Sequence, residues 1–303
     1  MTKKIPPPLP TVLTISGSDC SAGAGLQADL KTIHALGGYA LTVATAITAQ
    51  NSQGVASVYP LPAQVVQQQL HAILDDYDVQ AIKLGMLGNL EILNTVIHCL
   101  KQINHPCVIV DPVLISSSGC PLLEINALSV FIKELLPLAT LITPNIPEVN
   151  ALLEGGGEIL NLPFQGQKEE ISSIAQALFA LNVNAAVIKG GHSIETLATD
   201  YLVQPNEPNG ATIQAYSSRR MTTQNTHGTG CTYASAIATE LAKGATLNEA
   251  VKRAKEYLYS TLVHAEQAQP AHQKTPNQAY KVRKGSLNHF VVDNTRIPNN
   301  SAC

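Results

Sequence analysis

Val12-Leu13-Thr14-Ile15-Ser16-Gly17-Ser18-Asp19-Cys20-Ser21-Ala22-Gly23-Ala24-Gly25-Leu26-Gln27-Ala28-Asp29 is the stretch that decides the fold. Residues 12–15 are apolar or β-branched and read as a short strand. A turn rich in glycine and serine follows. Residues 24–36 then place Leu26, Leu30 and Ile33 at helical spacing.

The alternation continues outward from there. Residues 41–47 are rich in β-branched side chains, and 62–74 read as a helix with Pro62 near its first turn. Strands are expected at 81–86, 108–113, 141–142 and 185–188, and helices at 90–103, 126–136 and 171–181. Residues 201–203 and 211–216 look like a hairpin closed by a loop at 205–210. Two helices follow, at 232–241 and 247–264. Nearly continuous apolar strands alternating with helices predict an α/β protein whose parallel sheet is covered on both faces. Prolines make residues 1–10 a stiff arm. Residues 155–167 read as a flexible insertion, and the polar residues 266–303 as a partly irregular extension of a domain spanning 11–265.

Composition narrows the function. Hydrophobic residues are 45% and charged residues 14% of the 303, so the chain can bury a sizeable core. Nineteen Lys and Arg against 22 Asp and Glu leave −3, which gives no electrostatic reason to expect nucleic acid or an anionic membrane. The six cysteines contain no CxxC pair, and they are too sparse for a disulfide scaffold. A reducing cytoplasm is expected, with no signal peptide and no membrane span.

In open α/β sheets, sites gather at the carboxyl ends of strands, so the polar residues just after each strand carry the chemistry. Gly23, Gly25 and Ala28 match the G-x-G-x-x-A dinucleotide pattern. That pattern expects an acid about 20 residues on, and there is no Asp or Glu between Asp29 and Asp75. A second glycine loop, Thr226-His227-Gly228-Thr229-Gly230-Cys231-Thr232, precedes a helix and would cradle a phosphate. Cys231 at the helix start is expected to have a lowered thiol pKa and could accept a proton; a small buried hydrophobe is the equal alternative. Asp111, Asn145, Glu148 and Lys189 all follow expected strands. The oxygens of the first three suit Mg²⁺, and Lys189 suits phosphate charge. Asn145 and Glu148 are also the two halves of a helix capping box.

Taken in order, residues 17–32, 48–51, 83–88, 111–113, 143–148, 189–192 and 226–232 resemble the hydroxymethylpyrimidine/phosphomethylpyrimidine kinases of the ribokinase-like superfamily. The resemblance implies a ribokinase-like three-layer α/β/α sandwich with a mostly parallel central sheet, and a homodimer. It implies phosphorylation of 4-amino-5-hydroxymethyl-2-methylpyrimidine by ATP with Mg²⁺, first to the monophosphate and then to the diphosphate. By motif position Gly17, Asp29, Gln50, Met86 and Val113 would contact the pyrimidine. Asn145, Lys189, Thr226, Gly228, Thr229 and Gly230 would serve ATP and the anion hole, Asp111 and Glu148 the metal, and Cys231 catalysis. A cysteine-type pyridoxal kinase and a catalytically weak pyrimidine-binding protein are the rival readings. Four departures stand out: Ala22 where a glycine is common, Cys20 where a proline is common, a longer insertion after Glu154, and Lys284-Gly-Ser-Leu-Asn-His289, which only partly matches a glycine-rich family ending.

Overall fold

A glycine-bearing loop joins the first strand, β1 (Thr11–Asp19), to α1 (Gly25–Ala35), as residues 12–29 require. This is seen in a computed structural model of the chain. It describes residues 9–51, 54–103, 106–114, 122–158, 163–192, 196–206, 210–223, 225–265 and 285–291. The arm at residues 1–8 and most of the C-terminal extension lie outside the described residues. Among those described, no helix is long and apolar enough to cross a membrane.

The chain continues through β2 (Tyr39–Asn51), β3 (Gly54–Pro60), α2 (Ala63–Leu74), β4 (Ala81–Leu84), α3 (Leu90–Leu100) and β5 (Cys107–Val110). Then come α4 (Leu128–Val130), β6 (Leu141–Ile142), α5 (Ile146–Gly156), α6 (Ile171–Ala180) and β7 (Ala186–Ile188). The hairpin β8 (Leu197–Asn206) and β9 (Gly210–Arg219) and the helices α7 (Thr229–Ala242) and α8 (Leu247–Val263) complete it. The strands form one sheet in the order β3-β2-β1-β4-β5-β6-β7-β8-β9. The six from β2 to β7 in that order run parallel, while β3, β8 and β9 join antiparallel at the edges.

Alternate strand residues point to opposite faces, and the core divides accordingly. Leu13, Ile15, Ile82, Leu84, Val108 and Val110 pack with Val66, Leu93, Leu152 and Leu178 of the helices α2, α3, α5 and α6. Val12, Ala81, Ile109 and Leu141 face the other way, against Ile33, Tyr233, Ile237 and Val251 of α1, α7 and α8. Two helical layers thus cover the sheet, giving the expected α/β/α sandwich. Each fully buried Leu or Ile contributes about 1.5–3 kcal/mol.

Three expectations change. The sheet gains the edge strand β3. The single helix expected over 126–136 is instead a short α4 followed by a π-helical turn (Phe131–Leu135) and a 3-10 turn (Leu136–Leu138), where Pro137 cannot supply the N–H that α-helical continuation needs. Residues 155–167 are not a loose insertion where described. Gly157 caps α5 in the left-handed region, and Phe164 is buried with its backbone N–H and C=O both bonded to the Asn150 side chain.

From β1 the chain steps to one neighbour, β2, and later returns to the other, β4. That reversal opens a crevice at the carboxyl ends of β1 and β4, the place where open α/β sheets bind ligands.

Candidate active site

The crevice floor is built from strand ends. Gly17 on β1 lies against Met86 just beyond β4, so closely that a Cβ on Gly17 would sit 3.1 Å from the Met86 Sδ. Thr45 Oγ1 donates to the Met86 carbonyl at 2.6 Å and fixes that turn. Gln50, half-buried at the end of β2, brings its amide to 2.9 Å from His227 Nε2. Val113 is half-buried just past β5, its N–H bonded to the Asp111 carbonyl at 2.8 Å. These four residues lie at or just past the carboxyl ends of the adjacent strands β2, β1, β4 and β5.

Asp29 is the fifth residue expected to touch the pyrimidine, and it lies deeper in the fold than the other four. It is 0% exposed. One carboxylate oxygen accepts from Thr14 Oγ1 at 2.6 Å and Lys83 Nζ at 2.9 Å, the other from Ser235 Oγ at 2.8 Å. Three donors thus satisfy the buried carboxylate from within the protein. Its work is to hold Lys83, the charged residue on the otherwise apolar strand β4. Burial acts against the Lys83 charge, yet the Asp29 and Asp111 carboxylates outweigh it and keep the ammonium above the ordinary lysine pKa. The sequence signal for this pair was present: a lysine between Ile82 and Leu84 must find a partner or lose its charge.

Cys231 lies in the first turn of α7, which begins three residues earlier than the sequence suggests. Its thiol is not lowered, as the helix start led one to expect, but pushed up to about 11. Burial is the main cause, and the Asp29 and Asp111 charges add to it. Lys83 and a hydrogen bond with the Gly25 backbone pull the other way without prevailing. The resting group is a neutral thiol.

Lys189, at the end of β7, gathers the acidic residues. Its Nζ lies 2.8 Å from Asp111 Oδ1 and 3.7 Å from Glu148 Oε2. Burial would raise the Asp111 pKa, but Lys189 and Lys83, with Thr143 donating at 3.1 Å, hold it below the usual carboxylate range. Burial dominates at Glu148, and with Asp111 nearby it lifts the carboxyl to about 7 despite Lys189. Asn145 and Glu148 do form the capping box of α5: Asn145 Oδ1 accepts from the Glu148 N–H at 2.9 Å, and Glu148 Oε2 accepts from the Asn145 N–H at 2.7 Å. The box leaves Glu148 beside Lys189, so capping and site geometry coexist. Gly230 closes over this group, since a Cβ there would sit 3.1 Å from Asp111 Oδ2 and 3.3 Å from Lys189 Nζ.

The second glycine loop docks directly on the first. Gly228 has φ +84°, and a side chain on it would collide with the Gly23 carbonyl. Thr226 closes the turn by accepting from the Thr229 hydroxyl at 3.0 Å. His227 Nε2 lies 2.9 Å from Asp19 Oδ2. Asp19 in turn accepts from the N–H groups of Ser21, Gly23 and Ala24 and so shapes the first loop. Neither Asp19 nor His227 has a role in the sequence reading; both sit inside its motifs, but the pairing spans two distant segments.

The arrangement sets buried carboxylates and a lysine beside a glycine loop at a helix N-terminus, next to a crevice with an amide and a thioether. That set of groups suits a polyanion and a small flat ligand side by side.

Comparison with known proteins agrees. The chain is 40% identical over 272 residues to the hydroxymethylpyrimidine/phosphomethylpyrimidine kinase of Haemophilus influenzae, covering 89% of this chain and 97% of that one. It is 40% identical over 260 residues to the thiamine biosynthesis bifunctional protein ThiED of Geobacter sulfurreducens, covering 86% of this chain and spanning 50% of that longer protein. The fold overlays on Bacillus subtilis pyridoxal kinase, solved as an ADP complex, with a TM-score of 0.76 at 31% identity, covering 92% and 96% of the two chains. The family model for phosphomethylpyrimidine kinase matches residues 19–277. The chain belongs to the phosphomethylpyrimidine kinase family.

Proposed function

We infer that the protein transfers the γ-phosphoryl group of ATP to the hydroxymethyl oxygen of 4-amino-5-hydroxymethyl-2-methylpyrimidine, and then a second one to the monophosphate, in thiamine biosynthesis. The observation that carries this is the meeting of Asp111, Lys189 and Gly230, with Cys231 close to Asp111, at the carboxyl ends of the parallel strands, the end that also carries Gly17, Gln50 and Met86.

Phosphoryl transfer asks little covalent chemistry of a protein and much positioning and charge stabilisation. Lys189 would neutralise phosphate charge. The N–H groups of Gly228, Thr229 and Gly230, at the positive end of α7, would receive the equatorial oxygens of the moving group. Gln50 both donates and accepts, which suits an aminopyrimidine edge. Cys231 would orient the acceptor hydroxyl, and in its thiolate form would take the proton as the oxygen attacks.

Asp111 and Glu148 fit a magnesium ion carried by the nucleotide. Among the described residues no three His, Cys, Asp or Glu side chains cluster as a metal cage, and Mg²⁺ with phosphates commonly uses one or two carboxylates with water. Bound there, the ion would supply positive charge to the bridging phosphate oxygens.

The overlay on pyridoxal kinase favours a second reading, phosphorylation of pyridoxal. The higher identity to the pyrimidine kinases favours the first. Incubation with Mg²⁺-ATP and each acceptor, followed by product masses, decides between them. Pyrimidine phosphates with ADP are expected. Pyridoxal phosphate alone would move the protein to that chemistry, and binding without ADP from either acceptor would make it a binding protein.

A further inference from the structure

Residues 285–289 return from beyond α8 and lie along the second glycine loop. His227 and Ser286 pair in a parallel β-bridge. The Gly285 N–H donates to Asn225 Oδ1. On the other side of the loop, His289 Nε2 lies 2.9 Å from the hydroxyl of Thr232, the residue after Cys231. Two further bonds anchor the segment to α8: Tyr257 OH donates to the His289 carbonyl at 3.1 Å, and the Asn288 N–H to the Thr261 carbonyl at 3.3 Å. Leu287 is 3% exposed, packed with the α7 and α8 side chains, and His289 is 2% exposed.

We propose that residues 285–289 are a strap that sets the geometry of the phosphate loop, with His289 as its positioning residue. The contacts fall on both flanks of the loop. Asn225 and His227 are gripped before Gly228, and Thr232 after Cys231, so residues 228–231 are held between two fixed points. The ring is buried with the Lys31 charge nearby, and the backbone of Leu287 also hydrogen-bonds it. With one nitrogen donating there, the other accepts from the Thr232 hydroxyl. Asp19 and Gln50 hold His227 from the first loop's side, and the strap adds the grip on Asn225 and Thr232. An ångström of misplacement at a transferring group costs roughly 100-fold in rate.

The proposal rests on residues 228–231 being the transfer loop, and its test separates the two claims. His289→Ala should lower kcat by roughly 10- to 100-fold, with KM for the pyrimidine little changed, at a temperature where the variant is fully folded. Thr232→Val, which removes the other half of the bond, should do the same. His289→Gln keeps an acceptor at the same reach and should recover most of the rate. Phe290→Ala, 82% exposed beside the strap, should behave as wild type. Wild-type kcat in His289→Ala, or His289→Gln no better than His289→Ala, would overturn the proposal. Alkylation of Cys231 by iodoacetamide, followed peptide by peptide, needs no substrate. It should run several-fold faster in His289→Ala and return toward wild type in His289→Gln. If the wild type transfers no phosphoryl group, the functional reading has failed and this rate alone decides the strap; an unchanged rate overturns it.

Discussion

Asp19 and His227 are 208 residues apart in the chain, and their side chains meet at 2.9 Å. The contact ties the loop after β1 to the loop before α7, joining the two glycine loops. Gln50 reaches the same imidazole nitrogen at 2.9 Å, which brings the end of β2 into the joint.

The joint carries a pH signature. Burial alone would raise the Asp19 carboxyl, but His227, Ser21 and Ala24 outweigh it and hold the pKa at about 2, against 3.8 for the free group. A carboxyl held low in the folded state contributes stability above its unfolded pKa and loses it as pH falls through the folded value. Asp19→Asn should therefore cost about 2 kcal/mol at pH 7. Urea unfolding at steps from pH 7 to pH 2 should show the variant and the wild type converging between pH 4 and 2.

Lys83 and Asp29 form a pair with no exposure on either side. Lys83→Met leaves a buried carboxylate with hydroxyl donors but no cation. We expect a loss of about 3–5 kcal/mol, with part of it recovered in Lys83→Met/Asp29→Asn. Chemical denaturation of the two single variants and the double variant gives the cycle; simple additivity would mean that the two charges do not depend on each other.

Ala22 sits at φ 60°, the left-handed region that costs a side chain about 1–2 kcal/mol. Ala22→Gly should raise stability by about 0.5–1 kcal/mol after the entropy of glycine is subtracted. Ala28→Gly, inside α1, should instead lose about 1 kcal/mol or more. Equal effects at the two positions would rule out strain at residue 22.

Cys231 is a neutral thiol at rest, pushed up to about 11 chiefly by burial. If it takes the acceptor's proton, kcat should climb with pH between 7 and 9 as the thiolate fraction grows. Cys231→Ser should lose roughly 10²-fold in kcat, the scale of a general base, and its profile should flatten. A near-normal rate in Cys231→Ser would leave charge stabilisation by the loop as the main source of catalysis.

The inner strands and their helices were legible because strands buried on both faces are apolar runs, and Leu26, Leu30 and Ile33 mark a helix by spacing alone. The edge strand β3 was not, since its burial is partial and irregular. Asp111, Glu148, Lys189 and the 226–232 loop were legible as polar residues after strands. The depth of Asp29 was not: its partners Thr14, Lys83 and Ser235 come from three separate elements, and motif position carries no burial. The raised thiol of Cys231 follows from the same packing. Residues 284–289 partly match a glycine-rich family ending, but one leucine among small and polar residues does not show that the segment docks on α7 and α8.

The most direct measurement uses the pyrimidine monophosphate as acceptor. Purified protein, Mg²⁺-ATP and 4-amino-5-hydroxymethyl-2-methylpyrimidine monophosphate are mixed, and the products are weighed by mass spectrometry. The account expects the diphosphate, with one ADP for each one formed. Unchanged monophosphate, from protein that folds and binds nucleotide, would contradict it.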